Sequence, residues 1–105
     1  MVFFVESIFA FDLKSIVAYP VPFNPKNGVL TVEDRVAAAD KISITIYDIN
    51  GDKVFSSSNA SSSITWNGRN RRGMRVKPGL YLIRVTVEDN SGDYGKKVIR
   101  ILVNY

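Results

Sequence analysis

Apolar and polar residues alternate with a period of two along most of this chain, and that period belongs to strands. Residues 41–48 alternate strictly, placing Ile42, Ile44 and Ile46 on one face. Asn50-Gly51 follows as a hairpin signal, because both central positions of a type I′ turn need positive φ. Residues 53–55 are the predicted return strand. Residues 80–88 form a second clear strand, with Leu80, Leu82, Arg84 and Thr86 on one face and Tyr81, Ile83, Val85 and Val87 on the other. The cluster Asp89-Asn90-Ser91-Gly92 turns the chain into its partner, residues 96–103. Weaker strands are expected at 14–19, 28–33 and 63–66.

That makes about seven short strands spaced by turn clusters, a pattern of sandwiches or small barrels. Residues 34–40 (DRVAAAD) could close one helical turn and no more. The loops fall at the proline-rich stretch 19–25, the serine-rich stretch 56–63, the glycine-punctuated stretch 68–79 and the tip 89–95. Pro78-Gly79 suits the centre of a type II turn leading into the strand at Leu80.

Composition narrows the chemistry. A chain of 105 residues is one domain, long enough to fold around a core without staples. It has no Cys, which excludes disulfides and thiolate zinc sites, and no His, which removes the usual general base near neutral pH. Ser–His and Cys–His nucleophilic catalysis are thereby excluded within the chain. A non-enzymatic protein is expected, with no catalytic residue, cofactor or metal. Asp48-Ile49-Asn50-Gly51-Asp52 has the look of a calcium loop, but its glycine comes too early and no bidentate acid follows. Asp89 and Asp93 flank a turn in the same way. Glu33-Asp34 is a carboxylate pair whose members face different ways, and Asn59-Ala60-Ser61 matches a glycosylation sequon by pattern alone.

The net charge of +4 is unevenly placed. Arg69, Arg71, Arg72, Arg75 and Lys77 crowd one loop, where they project into water or into a partner. A solvated loop is the plain reading of that cluster. The alternative is a contact surface for a protein with an acidic surface, since guanidinium forks match carboxylates. Nucleic acid ranks below, because single-strand binders interleave cations with exposed aromatics and none lies between Trp66 and Tyr81. Residues 1–10 (MVFFVESIFA) are apolar apart from Glu6 and a serine. Residues 1–13 are read either as the remnant of an export signal or as an N-terminal strand, with the folded domain at 14–105. No apolar run approaches the ~20 residues of a membrane-spanning helix.

Three segments carry a resemblance. Tyr19-Pro20-Val21-Pro22-Phe23-Asn24-Pro25 is similar to a Y-P-N-P-F-N-P opening, with Val21 in place of Asn. Residues 44–54 are similar to the strand–turn–strand centre that follows it. Thr65-Trp66-Asn67-Gly68-Arg69-Asn70-Arg71-Arg72-Gly73, continuing to Gly79-Leu80-Tyr81, is similar to W-D-G-x-D-x-x-G…G-x-Y. Together they resemble the immunoglobulin-like domain family of the flagellar hook-capping protein, and equally the related C-terminal sorting domains of secreted bacterial proteins.

The resemblance implies an all-β, immunoglobulin/fibronectin-III-like antiparallel sandwich of about seven strands, located outside the cytoplasm in periplasm, appendage or cell surface. Asn67 departs from the family's Asp, and the loop is basic where the family's is acidic or neutral. The domain fills nearly the whole sequence, so the expected role is a structural or assembly module making protein–protein contacts, flagellar among the options. The competing roles are a sorting or anchoring domain of a larger secreted protein and a binder of anionic polymers. The expected contact surface is the basic loop, assisted by Tyr94 or the terminal strand.

Overall fold

The computed structural model describes residues 13–105; the export-remnant reading of the first residues lies outside them. After a single 3-10 turn at Leu13–Ser15 come seven strands: β1 (Ile16–Tyr19), β2 (Leu30–Asp34), β3 (Lys41–Tyr47), β4 (Lys53–Asn59), β5 (Ser63–Trp66), β6 (Gly79–Glu88) and β7 (Tyr94–Val103). They build two antiparallel sheets, ordered β1-β2-β5 and β4-β3-β6-β7, and the fold is an immunoglobulin-like β-sandwich.

The alternation seen in the sequence determines which side of each strand is buried. Ile42, Ile44 and Ile46 of β3 lie opposite Val87, Val85 and Ile83 of β6, and all six are buried. Leu30 and Val32 of β2 face them from the other sheet with Ile64 and Trp66 of β5. Trp66 sits where the layers meet, its ring centroid 5.8 Å from Phe23, 6.2 Å from Tyr81 and 6.5 Å from Phe55. Burying an indole of this kind contributes on the order of 4 kcal/mol.

Several local expectations are revised. The serine-rich stretch is strand as far as Asn59: Ser56, Ser57 and Ser58 pair with Thr45, Ile44 and Ser43. Ladder hydrogen bonds need no apolar side chains, and an edge strand with one side in water tolerates serine. The turn after β3 is not type I′. Gly51 has φ +85 while Asn50 does not take positive φ, and the carbonyl of Asp48 accepts the Gly51 N–H at 3.0 Å. Gly79 is not the αL member of a type II turn; with φ +150 it opens β6 opposite Val103. Residues 35–40 form turns rather than a helical turn. The buried Asp34 carboxylate organises them, accepting the Ser15 hydroxyl at 2.6 Å and the N–H groups of Val36 and Ala38.

The proline-rich segment joins the two layers. Phe23 is buried, donates its N–H to Leu102 O at 2.8 Å and accepts the Asn104 N–H at 3.0 Å. This short parallel bridge ties the chain between β1 and β2 to the end of β7.

Candidate functional site

The basic loop between β5 and β6 is the most chemically distinctive surface, and the core holds it in place from below. Trp66 donates its indole N–H to Arg69 O at 2.9 Å, so the core aromatic also fixes the start of the loop. Gly68 follows at φ +80, so close to Pro25 that a Cβ there would lie 2.5 Å from the proline Cβ. The chain then folds back on itself: Arg69 and Arg75 pair as an antiparallel bridge, and Val76 N–H bonds Gly68 O at 2.9 Å.

A tight turn closes the tip. The Asn70 side-chain oxygen accepts the N–H groups of Arg72 at 2.9 Å and Met74 at 3.0 Å, and Gly73 N–H returns to Asn70 O. Arg69 braces the turn through a hydrogen bond from Nη1 to Gly73 O at 2.9 Å. Three further bonds tie the loop outward: Arg71 N–H to Val54 O on β4, the Tyr81 hydroxyl to Lys77 O, and the Tyr105 hydroxyl to Val76 O. A loop tied at so many backbone positions is preformed.

Between this loop and the start of β4 lies an open groove of about 400 Å³. Its floor is Val54, Val76 and Tyr81, Met74 stands at the rim, and Lys53, Arg71, Arg72, Arg75 and Lys77 surround it. Burial pushes the Tyr81 phenol above its ordinary pKa of 10.0, with the charges of Asp48 and Tyr105 adding to the effect.

Of the residues singled out in the sequence, Arg71, Arg72, Arg75 and Lys77 line the groove together and Arg69 does not. Arg69 is committed to its own turn, and Arg75 lies 5.9 Å over the Tyr105 ring. Tyr94 starts β7 opposite Glu88, at the other end of the long hairpin from the loop. The end of the terminal strand is close, through Tyr105. Lys53 is the residue that the sequence did not point to. It lies far from the cluster along the chain, and only the packing of the loop on β4 joins them. The acids discounted as calcium ligands are turn heads: Oδ1 of Asp48 accepts Asn50 and Asp52 N–H, and Oδ1 of Asp89 accepts Ser91 and Asp93 N–H. Asn59 of the sequon pattern donates to Ser63 O. Among the described residues no group of three or more His, Cys, Asp or Glu could hold a metal ion, and no helix is long and apolar enough to cross a membrane.

With this geometry in view, the comparisons give the class. Residues 17–101 match the secretion system C-terminal sorting domain, and the chain belongs to that family. Its fold recurs in solved structures. PorZ, a bacterial surface component of the type IX secretion system of Porphyromonas gingivalis, aligns with a TM-score of 0.66 and 28% identity over 91% of this chain and 12% of its own. FlgD of Xanthomonas campestris, a hook-capping protein, aligns with a TM-score of 0.51 and 28% identity over 62% of this chain and 51% of its own. Dimeric latent PorU of P. gingivalis shares the fold with a TM-score of 0.62 at 21% identity, over 84% of this chain and 9% of its own. A search of the curated proteins finds no match. This chain thus spans a small part of PorZ and PorU and about half of FlgD.

Membership in a family of sorting domains, which are non-catalytic, carries the extracytoplasmic localisation expected from the sequence. It also reverses the order of the functional readings: sorting moves ahead of the assembly subunit, and a flagellar role rests on the likeness to FlgD alone.

Proposed function

We propose that this domain directs a secreted protein through the type IX secretion route, acting as a folded surface that the export machinery reads. The observation that carries this reading is the family match across residues 17–101, which reaches from β1 into β7 and takes in the Trp66 loop. The 28% identity to a segment of PorZ, itself a surface component of that system, supports it. The groove adds a physical reason: a sorting signal needs a rigid, exposed and distinctive feature, and the loop over Trp66 is all three.

The test is to fuse residues 1–105 behind a fluorescent reporter carrying an export signal, in a bacterium that has a type IX system. The reporter is expected on the cell surface or in the medium, and in the periplasm of a strain lacking the system. Periplasmic retention in both strains overturns the sorting reading. Surface delivery in both strains also overturns it.

A further inference from the structure

We propose that the groove between β4 and the basic loop is a docking site for an extended acidic segment of a protein partner, with Lys53, Arg71, Arg72, Arg75 and Lys77 as its carboxylate-binding rim. This rests on the sorting reading and deepens it by giving the partner a chemistry.

The charge is only partly compensated, five cations facing one carboxylate. Among the described residues the single ion pair is Lys41 with Glu88, which are not in the groove lining. Asp48 is the one acid lining the groove, and its Oδ1 is occupied by two N–H groups of its own turn. Five cations gathered around one depression repel one another, and a set of carboxylates from outside relieves that repulsion. The loop that carries four of them is tied down before any ligand arrives, so little ordering is needed on binding.

The floor selects among anions. Val54, Val76 and Tyr81 with Met74 at the rim offer apolar contact beneath the ring of charge. An extended peptide alternates its side chains, so apolar residues can face this floor while glutamates or aspartates reach the rim. A glycan needs acceptors for its hydroxyls, and Oδ1 of Asn70 and Oδ1 of Asp48 are each already taken by two N–H groups of their own turns. A nucleic acid needs an open ring for stacking, whereas Tyr81 is 7% exposed. Arg69, whose guanidinium bonds Gly73 O, supports the rim without belonging to it.

The probe is a short synthetic peptide alternating glutamate and leucine, blocked at both ends and titrated into the full chain at about 0.15 M ionic strength. Binding is read from the Met74 methyl and Tyr81 ring resonances, which are expected to shift saturably. The pair Lys53→Glu and Arg72→Glu is expected to weaken binding about tenfold or more. The pair Lys96→Glu and Arg100→Glu, on the outer face of β7, makes the same change in net charge and is expected to weaken it less than about threefold. All four positions are exposed, and an unchanged near-ultraviolet signal from Trp66 confirms each fold.

Equal weakening by both pairs overturns the site, because bulk charge then explains the binding. No saturable shift with peptide also overturns it, as does polygalacturonate of matched charge binding more tightly than the peptide. The fusion reporter separates this proposal from the sorting reading. Export without peptide binding removes the groove alone, whereas peptide binding without export removes the sorting role and leaves the groove.

Discussion

Two turns in this molecule share one hydrogen-bond pattern and carry opposite charge. At residues 48–52 the Asp48 side chain accepts the N–H groups two and four positions on, and Gly51 closes the turn at φ +85. At residues 70–74 Asn70 does the same for Arg72 and Met74, and Gly73 closes it at φ +81. The first carries acids at both ends and joins two paired strands; the second is hemmed by arginines and packs against β4. A side-chain oxygen in the head position satisfies the backbone whether or not it is ionised. The charge of such a turn is therefore free to be set by what the surface must meet. In the motif that this loop resembles, the head of the second turn is an aspartate, and an aspartate there would cancel part of the positive rim. The amide keeps the geometry and leaves the charge intact.

The largest expected difference between the two regions is in how they are anchored. Gly68→Ala is expected to cost about 3 kcal/mol or more in urea unfolding, because its Cβ meets Pro25 at 2.5 Å and its φ is +80. Gly51→Ala, at the same kind of φ with open space around it, is expected to cost about 1 kcal/mol. Equal costs would mean that the basic loop is no better seated than a hairpin tip. Next comes Asn70→Ala, which strands the Arg72 and Met74 N–H groups and is expected to cost about 1–2 kcal/mol by the same assay.

Asn70→Asp separates shape from charge. Stability is expected to hold within about 0.5 kcal/mol or to rise, since an ionised acceptor bonds more strongly. Affinity for the acidic peptide is expected to drop about threefold, read by the same resonances. A loss of stability with unchanged affinity would break the argument that the head residue is chosen for its charge.

The smallest effect concerns pH. Burial raises the Tyr81 phenol, so the folded chain holds that proton more tightly than the unfolded chain does. The resulting stability is whole below pH 10 and is lost as pH rises through the folded value. Tyr81→Phe removes both the hydrogen bond to Lys77 O and this titration. Its deficit against the parent, about 1 kcal/mol near neutrality, is expected to shrink in urea unfolding above pH 10.

The sandwich was legible because its central strands obey a simple rule. Ile42, Ile44 and Ile46 of β3 alternate with polar or half-buried neighbours, and Tyr81, Ile83, Val85 and Val87 of β6 share one face by the same period, even though Leu80 and Leu82 leave apolar side chains on the outer face. Legibility failed where burial stops dictating the sequence. Ser56 to Asn59 continue an edge strand by backbone bonds, and those leave no mark on side-chain pattern. Asn50-Gly51 located a turn without giving its class, because Asp48 outside the dipeptide decides the hydrogen bonding. The basic cluster was visible at once, but its order was not. That order depends on Trp66, Val54 and Tyr105, three residues from other elements that meet the loop only after folding. For the same reason Lys53 joins the groove in space alone, and Arg69, counted with the others by proximity, turns out to serve its own turn.

The bridge from Phe23 to the end of β7 sets the order in which this domain can be completed. A ribosome releases Phe23 about eighty residues before Leu102 and Asn104, its hydrogen-bond partners, exist. Until then Phe23 has no strand to dock on, Trp66 lacks one of its covering rings, and β6 is an open edge. The sandwich is closed by β7, so a chain stalled or nicked before residue 102 keeps β1 to β6 and most of its apolar sequence yet stays unsealed. For a domain that acts outside the cytoplasm, shape reports on that seal: a surface that depends on Tyr105 being in place is presented only once β7 and the residues just after it have docked.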